Sequence, residues 1–529
     1  MQPSHAAPLS AAASVCTTDC VTCIDDLFRW PAMNSLASTR HGISDPDNTL
    51  QTGMHATKSI TSAFSGVCAE TVASNMLHSY CQQVTGDTTA KFQHLASVER
   101  DTECRLEQTV LPNGPACRFP DIINFVSSDV MPTLKSHMNA GTCDLDDLAP
   151  LLLKPGAVKT TAPCTAHGTT CHFPRATGHS AGCPCTDFTS WGKRRRLGGP
   201  TVPYYLIWLA MRLLLRAFGV LFENLPQFPT ELLSKYLGHI YDISEVLLCP
   251  TQLGSRVKRP RKFILLTLKL ACHISRPLSL LPTMFGRCAA DGFSWRDYFC
   301  ASSAELGTEL RWGKARVSKP DATTFEEVLL PSEATRLAIY IDKHSVQNCV
   351  CNLSQNPEFV RAAGRARELH TLIQNSVVLW SCEHSRWMTG REMLLANSFP
   401  VSDSHLHVIC GNHSKQEMSS FNRSRVAYGL SARDRTHMAH QSGNSQNIQS
   451  VGSVLQWLFM FMVPTPPAAT HSYSSSPSFA DGVSPLQRWK FACGDYNITP
   501  DSKHRKNLTA AIQDATDDDQ PLDVKRRRI

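Results

Sequence analysis

The sequence lacks the features that mark exported and membrane-spanning chains. Its N-terminus, MQPSHAAPLSAAASVC, has neither a basic start nor a long apolar stretch, so we expect no secretory signal. The most apolar run, Val202 to Phe222, contains Arg212 and Arg216. A buried helix followed by a buried strand fits these residues better than a membrane span. Neither export nor membrane insertion is therefore expected.

Cysteine is neither dense nor regularly spaced, with 21 residues scattered over 529. Small secreted domains held together by disulfides have a much higher density, so we expect a reducing compartment and no disulfides. Cys16, Cys20 and Cys23 lie close together, but no fourth residue follows at a recognisable spacing. A structural zinc site needs four ligands. The sequence therefore predicts no metal.

Neither sign of charge predominates in the chain, because the formal net charge is only +7. This mild excess permits a polyanionic partner without establishing one. Local basic runs are more informative, and they are Lys193–Arg196, Arg256–Lys262 and Lys525–Arg528. The last run is readable as a short nuclear import signal, so a nuclear location is expected from it, with the cytoplasm as the alternative. Each run is also typical of a solvated surface.

Apolar runs that alternate with helical patterns indicate an α/β domain with a largely parallel sheet. No internal repeat of fixed period is visible. The segments at both ends consist of small polar residues without a period, which is typical of poor order. The predicted organisation is a poorly ordered lead-in (1–57), the first part of the α/β domain (58–270) with a long insertion (126–178), a smaller unit (271–385), the return of the first domain (386–463) and a mobile tail (464–529).

The segment Ala181 to Trp191, AGCPCTDFTSW, contains the strongest candidate nucleophile. Cys185 follows a proline in a turn-like stretch, where a thiol can project from a rigid backbone. A nucleophilic cysteine reacts as the thiolate and needs exposure and nearby positive charge. From these residues alone, Cys183 and Cys185 could equally be ordinary half-buried thiols beside a solvated basic loop.

The order of short motifs along the chain distinguishes these two interpretations. The motifs are Phe64-Ser65-Gly66, Glu99, Asp121, Pro184-Cys185, Phe222-Glu223-Asn224, Arg259-Pro260-Arg261-Lys262-Phe263, Arg391-Glu392-Met393 with Phe399-Pro400, and Gln441-Ser442-Gly443-Asn444-Ser445. This succession resembles the motif series of the cytosine-5 DNA methyltransferases, in the order of that family. The resemblance spans residues 59–461 and includes the long gap before the last motifs.

The resemblance implies a Rossmann-like, S-adenosylmethionine-dependent methyltransferase domain with a smaller inserted target-recognition domain. A glycine in the turn after the first strand lets the backbone approach the adenosyl group, and an acidic residue after the next strand can accept from ribose hydroxyls. Asp121 matches the position that contacts the adenine in the family. The implied donor-binding residues are Phe64, Gly66, Glu99, Asp121, Pro184, Gly443 and Asn444.

The resemblance also implies the reaction and its catalytic residues. Cytosine C5 is a weak nucleophile, so the family adds a thiolate to C6 before C5 takes the methyl group. Cys185 is the implied nucleophile, and Glu223 would hydrogen-bond or protonate ring N3. Arg261 would hold the O2 side of the base, with Arg259 supporting the same strand. The expected partner is DNA with its target base flipped out.

Several positions depart from the pattern of the family. Cys68 replaces a glycine of the first motif and is expected to crowd the donor, and Thr186 replaces the glutamine that commonly follows the catalytic cysteine. Val257 and Leu225 also differ from the residues usual in the family. Two alternatives therefore stay open, a cytosine-5 RNA methyltransferase of the transfer-RNA type and a catalytically inert nucleic-acid-binding relative.

Simple structural roles compete with several of these assignments. Glu223-Asn224 could form a helix N-terminal cap, and the run Arg256–Lys262 could be a solvated basic edge. Arg391 and Glu392 are predicted to form a salt-bridged helix start even if the family resemblance holds. The aromatic and methionine residues of WLFMFM, residues 457–462, are predicted to be core.

Overall fold

The structure of the chain is a computed structural model. It describes residues 20–56, 59–86, 93–141, 143–187, 196–344, 350–358, 368–372, 378–401, 405 and 435–465. The strands are β1 (Cys20–Val21), β2 (Ser59–Ala63), β3 (Gln93–Val98), β4 (Cys117–Phe119), β5 (Thr161–Cys164), β6 (Thr169–His172), β7 (Gly178–Ala181), β8 (Gly219–Asn224), β9 (Tyr241–Leu248), β10 (Arg261–Leu268), β11 (Cys272–Ile274), β12 (Cys288–Ala289), β13 (Val350–Asn352), β14 (Leu379–Ser381), β15 (Arg386–Trp387) and β16 (Met462–Pro464). The helices are α1 (Trp30–Arg40), α2 (Pro46–Ala56), α3 (Ala69–Thr85), α4 (Thr102–Val110), α5 (Met131–Ala140), α6 (Leu145–Leu152), α7 (Val202–Leu215), α8 (Glu231–Leu237), α9 (Leu281–Phe285), α10 (Ser303–Val317), α11 (Pro331–His344), α12 (Gly390–Ala396), α13 (Arg435–Asn444) and α14 (Ile448–Phe461).

A seven-stranded sheet in the order β4-β3-β2-β7-β8-β10-β9 forms the centre of the fold. Strands β4, β3, β2, β7 and β8 run parallel to their neighbours, whereas β10 is antiparallel to both β8 and β9. All six residues of β8, GVLFEN, are buried, as expected for a strand in a sheet covered on both faces. The predicted α/β class with a mostly parallel sheet is confirmed.

The apolar run Val202 to Phe222 forms a buried helix and a buried strand, as predicted. Helix α7 ends at Leu215, and β8 begins four residues later. Arg216, the C-cap of α7, takes a left-handed conformation that ends the helix. Within the described part of the chain, no helix is long and apolar enough to cross a membrane.

The N-terminal segment differs from the prediction of poor order over 1–57, because residues 20–56 form β1, α1 and α2. Trp30 is fully buried, and a Cβ at Gly452 of α14 would overlap its ring. The side-chain amide of Asn34 also donates to Ser453 Oγ at 3.1 Å and to Gln456 Oε1 at 2.9 Å. Partners about 420 residues away in the sequence order this segment, which local composition does not reveal.

A disulfide between Cys20 and Cys288 corrects the expectation of no disulfides. The two residues lie opposite each other where β1 pairs with β12 in parallel. The crosslink attaches the N-terminal strand to the region that follows the central sheet. Low cysteine density did not reveal this pair, because the two residues are separated by 268 positions.

A second hydrophobic core lies outside the central sheet, within residues 310–387. It is aromatic, and the ring of Trp387 packs edge-on against Trp312 and Phe325. The small antiparallel sheet β13-β14-β15 supports it. The predicted smaller unit over 271–385 includes most of these residues, and its exact boundaries stay a prediction.

Helix α14 is buried along its whole length, so the prediction that WLFMFM is core is confirmed. It contacts α1, α2 and α3, and β16 after it pairs with β11. The predicted tail from residue 466 onward lies outside the described residues, as does the run Lys525–Arg528 on which the nuclear expectation depends.

Candidate active site

The candidate site lies where the strand order of the central sheet reverses. From β2, the chain adds β3 and β4 on one side and β7 and β8 on the other. Parallel strands place their carboxyl ends at the same edge, and ligands of such sheets bind in the crevice at this switch point. The predicted residues that directly follow or end these strands are Phe64 and Gly66 after β2, Glu99 after β3, Asp121 after β4, Pro184 and Cys185 after β7, and Glu223 in β8.

The turn after β2 has an unusual backbone that is held by Glu99. Phe64 and Gly66 have φ values of 56° and 51°, in the left-handed region. The Gly66 N–H donates to Glu99 Oε2 at 2.7 Å, and the Asp101 N–H donates to Glu99 Oε1 at 2.8 Å. Burial raises the pKa of Glu99. Each carboxylate oxygen keeps a lone pair that a hydroxyl group in the crevice can use.

Asp121 lies on the next strand connection and begins a short 3-10 helix. Its Oδ1 accepts from the Ile123 N–H at 3.0 Å. Its Oδ2 lies 3.8 Å from Arg100 Nε, in a pair whose arginine is 75% exposed. The Glu99 N–H donates to the Phe119 carbonyl at 3.0 Å, so the ends of β3 and β4 hold the two acidic residues on neighbouring turns.

The last predicted motif lies against the first, although 378 residues separate Gly66 from Asn444. The carbonyl oxygen of Asn444 lies 3.9 Å from the position of a Cβ on Gly66. Apart from the chain neighbours of Gly66, no other atom of the described residues lies within 4 Å of that position. His440 Nδ1 lies 4.0 Å from Asp101 Oδ2. The end of α13 therefore covers the turn after β2, where the sequence placed Gly443 and Asn444.

Cys185, Glu223 and Arg261 form the other half of the site. Arg261 Nε lies 2.9 Å from Glu223 Oε1, and both side chains are nearly buried. Glu223 Oε2 lies 3.4 Å from the position of a Cβ on Gly182, whereas the Phe64 carbonyl lies 3.8 Å from it. Gly182 thus separates the Glu223 side from the turn after β2, and a side chain there would crowd both.

The thiol of Cys185 is half-buried and lies in the field of three charged groups. Burial and the Glu223 charge raise its pKa, and the charges of Arg261 and Arg259 act in the opposite direction. A thiolate at Cys185 is thus stabilised by the two arginines and destabilised by the glutamate. This arrangement gives Cys185 a pH-dependent reactivity that its neighbours control.

Replacement of Glu223 by glutamine should lower the pH at which Cys185 is alkylated, because the variant removes a negative charge that raises the thiol pKa. Arg261→Gln should move the profile the other way and serves as the matched opposite. The measurement is the iodoacetamide modification rate of the peptide containing Cys185, followed by mass spectrometry across a pH series. A shift in the same direction for both variants would refute the predicted charge arrangement.

The guanidinium of Arg259 binds backbone carbonyls of the protein itself. Its guanidinium donates to the carbonyls of Leu372 at 2.7 Å, Gly443 at 3.2 Å and Ser445 at 2.6 Å. Burial and the neighbouring Arg261 charge lower its pKa to about 9. These contacts hold the last motif beside the site, and the role in catalysis that the resemblance implies for Arg259 stays a prediction.

The cations of the basic run Arg256–Lys262 mostly contact other groups of the protein, so the run is not the solvated basic edge that the sequence also allowed. Arg256 donates to the carbonyls of Phe293 at 2.7 Å and Ala290 at 2.8 Å. Lys262 lies 3.3 Å from Glu245 Oε2 and 2.9 Å from the Phe228 carbonyl. Only Lys258 of the five cations in this run is exposed. Residues 193–195 of the other internal run, and the side chain of Arg196, lie outside the described residues.

Cys68 has an unusual backbone conformation at the start of α3. It has φ 58° and ψ 55°, a left-handed conformation that costs a residue with a side chain about 1 kcal/mol or more. The thiol is fully buried, within 4.8 Å of a Glu70 carboxylate oxygen and a His94 ring nitrogen. The expected crowding of the donor by this side chain stays a prediction.

Gln446 is a site residue that the sequence did not reveal. Its Nε2 lies 3.2 Å from the Cβ position of Gly182, between the two halves of the site. It directly follows the predicted Gln441–Ser445 motif, and that adjacency was the available signal. Arg391 and Glu392 form salt bridges as predicted, but with Glu305 and Arg386 respectively.

No protein-family model and no curated protein matches the chain. Solved structures with a similar fold include S. pombe Dnmt2 methyltransferase, with 13% identity, a TM-score of 0.41 and coverage of 76% of this chain and 97% of the other. A Spodoptera frugiperda DNMT2 mutant has 14% identity, a TM-score of 0.36 and coverage of 76% and 99%. The Entamoeba histolytica methyltransferase EhMeth has 10% identity, a TM-score of 0.35 and coverage of 76% and 97%.

Proposed function

We propose that the chain transfers the methyl group of S-adenosylmethionine to C5 of cytosine in DNA, through a covalent bond between Cys185 and the base. The observation that carries the proposal is the convergence of Cys185, Glu223 and Arg261 at the sheet edge that also holds Gly66 and Glu99. These residues come from five separate strands or strand ends. The motif order independently associates the same residues with this chemistry.

The residues around the turn after β2 fit a bound nucleoside. Among the described residues beyond its chain neighbours, only the Asn444 carbonyl lies beside the Cβ position of Gly66, so a ligand can approach the backbone there. Glu99 would accept from the ribose hydroxyls, and Asp121 would contact the adenine. Bound S-adenosylmethionine would supply an electrophilic methyl group on its sulfonium sulfur.

The catalytic residues act on the cytosine ring. Cys185, as the thiolate, would form a bond to C6, and the electron pair of the C5–C6 double bond would shift toward C4 and N3. The resulting enamine makes C5 nucleophilic enough to take the methyl group that the bound donor would supply. Glu223 hydrogen-bonds or protonates N3, and its pairing with Arg261 at 2.9 Å fixes the carboxylate for this role. Arg261 holds the O2 side. Once C5 carries the methyl group, loss of the C5 proton lets the sulfur leave C6 and restores the thiolate.

The target cytosine has to leave the double helix for this reaction, because C6 is not accessible to a thiol in a stacked base. The half-buried position of Cys185 is compatible with a base that enters the crevice from outside. The internal use of the Arg256–Lys262 cations means that other parts of the chain would contact the phosphates.

Removal of either acidic residue should weaken donor binding. Glu99→Ala and Asp121→Ala are each expected to cost about 1 to 3 kcal/mol of S-adenosylmethionine affinity, as for a lost hydrogen bond to a buried group. Isothermal titration measures this directly. Glu231→Ala, which removes an exposed carboxylate at the start of α8, is the control. Unchanged affinity in both test variants would show that the donor does not bind at this edge.

Covalent trapping tests the substrate. Oligonucleotides of one sequence with 5-fluorocytosine, made as DNA and as RNA, are incubated with the protein and S-adenosylmethionine. Because fluorine cannot leave as the C5 proton does, the adduct at Cys185 persists on a denaturing gel. We expect the adduct with DNA. An adduct with RNA alone favours the RNA methyltransferase, and none with either, although both bind, favours an inert relative.

A further inference from the structure

Three cysteines and one histidine converge beside the edge strand of the central sheet. Cys117 lies in β4, Cys164 ends β5, His167 lies in the β5–β6 turn and Cys171 lies in β6. Their sulfur and nitrogen atoms all lie within 4.8 Å of one another. His167 Nδ1 is 3.6 Å from the sulfur of Cys117, 3.5 Å from that of Cys164 and 3.3 Å from that of Cys171.

Ordinary hydrogen bonding accounts for these contacts only if three thiols share one nitrogen. A neutral imidazole nitrogen has either one proton or one lone pair, so each shared contact is weak. A shared cation accounts for all three at once. Zinc binds sulfur at about 2.3 Å and histidine nitrogen at about 2.0 to 2.1 Å, so two tetrahedral ligands of these types lie about 3.5 Å apart. The three distances agree with that spacing.

We propose that Cys117, Cys164, His167 and Cys171 bind one zinc ion in a tetrahedral Cys3His site. Three soft thiolates with one imidazole favour zinc over magnesium or calcium, which prefer oxygen. Four protein ligands leave no position for water, so the site is structural and takes no part in the transfer reaction.

This site is independent of the proposed function, and it differs from the expectation of no metal. The spacing Cys164-x2-His167-x3-Cys171 is a usable local signal. The fourth ligand, Cys117, is 47 residues earlier, and only the folded sheet brings it close. A search for four ligands at short spacing could not find it.

The zinc would attach the β5–β6 hairpin to the three-residue edge strand β4. The Thr165 N–H and hydroxyl both donate to the Arg118 carbonyl, at 2.8 and 3.0 Å, so the hairpin already lies against β4. Among the described strands, β4 pairs with β3 alone, and a short edge needs further support. Asp121 follows Cys117 by four residues, so the metal would also stabilise the turn that carries Asp121.

Metal analysis of the full-length chain tests the site. Protein purified from zinc-supplied cells and dialysed is expected to hold one zinc per chain by elemental mass spectrometry. Cys171→Ser and His167→Ala should each lose it. His172→Ala, another exposed histidine of the same hairpin, should keep it and is the matched control. A chelator should lower the melting temperature of the wild type and of His172→Ala, but not that of a folded Cys171→Ser.

Two results would overturn the site. One is a wild-type chain without zinc, or with a disulfide joining any two of the three cysteines. The other is full zinc content in both ligand variants. Where a ligand variant does not fold, cobalt replaces zinc in the wild type. Intense tetrahedral ligand-field bands with thiolate charge-transfer absorption are expected, and their absence rejects the site.

Discussion

Replacing Cys185 with serine is expected to abolish methyl transfer to DNA while leaving S-adenosylmethionine binding nearly unchanged. Cys185 supplies the sulfur that adds to C6, and a serine hydroxyl is far less ionised at neutral pH. Loss of an essential nucleophile lowers turnover by roughly three orders of magnitude or more. The donor contacts come from Glu99 and Asp121 on other strands, so titration with the donor should give the wild-type affinity.

The exposed cysteine Cys23 provides the control for this variant. Cys23→Ser removes a thiol from the N-terminal region and should keep full transfer activity. Covalent trapping on 5-fluorocytosine DNA that survives in Cys185→Ser would assign the nucleophile to another residue. Loss of donor binding together with transfer would indicate a structural role for Cys185.

The second large effect is expected at Glu392, where substitution by alanine should destabilise the fold by about 3 to 5 kcal/mol. Glu392 is fully buried and pairs with the guanidinium of Arg386 through two hydrogen bonds of 2.9 Å. Its oxygens also accept from the N–H groups of Thr389 at 2.8 Å and Ala301 at 2.7 Å. The variant leaves the arginine charge buried without its partner. Urea denaturation gives the change in free energy of unfolding.

The neighbouring residue Arg391 gives a matched comparison for Glu392. It also forms an ion pair, with Glu305, but both side chains are partly exposed to solvent. Pairs in such surroundings contribute about 0 to 1 kcal/mol, so Arg391→Ala should have a small effect. Equal destabilisation by the two variants would contradict the account of the buried pair.

Residues at the ends of the central strands were predictable from the sequence. Glu223 lies at the end of the apolar run of β8, and parallel strands bring such ends to one edge. The strands before Gly66 and Cys185 are SITSA and GHSA, which are not apolar runs, so the motif order was needed to place these residues.

Contacts that depend on distant parts of the chain were not predictable. Arg259 is a cation in a basic run, but its three acceptor carbonyls come from residues 372, 443 and 445. The composition of the run alone suggests a solvated edge. It cannot show which carbonyls from distant parts of the chain fold against the run. The ordered structure of residues 20–56 was not predictable for the same reason, because their partners lie in α14.

Local backbone conformation was predictable only in part. A glycine at position 66 indicated a turn, and the structure gives it a φ of 51°. Cys68 adopts the left-handed conformation without being glycine, so its effect could not be inferred from side-chain volume. Its thiol is accommodated by Glu70 and His94, whose positions depend on α3 and β3.

The most direct test of the central claim is the transfer of a labelled methyl group from S-adenosylmethionine to unmethylated DNA by the purified chain. The account predicts label in the DNA, recovered as 5-methylcytosine after digestion, and none with Cys185→Ser. Label on another base, on cytosine at a position other than C5, or on RNA alone would contradict it. A folded chain that binds both the donor and DNA without transferring any label would contradict it as well.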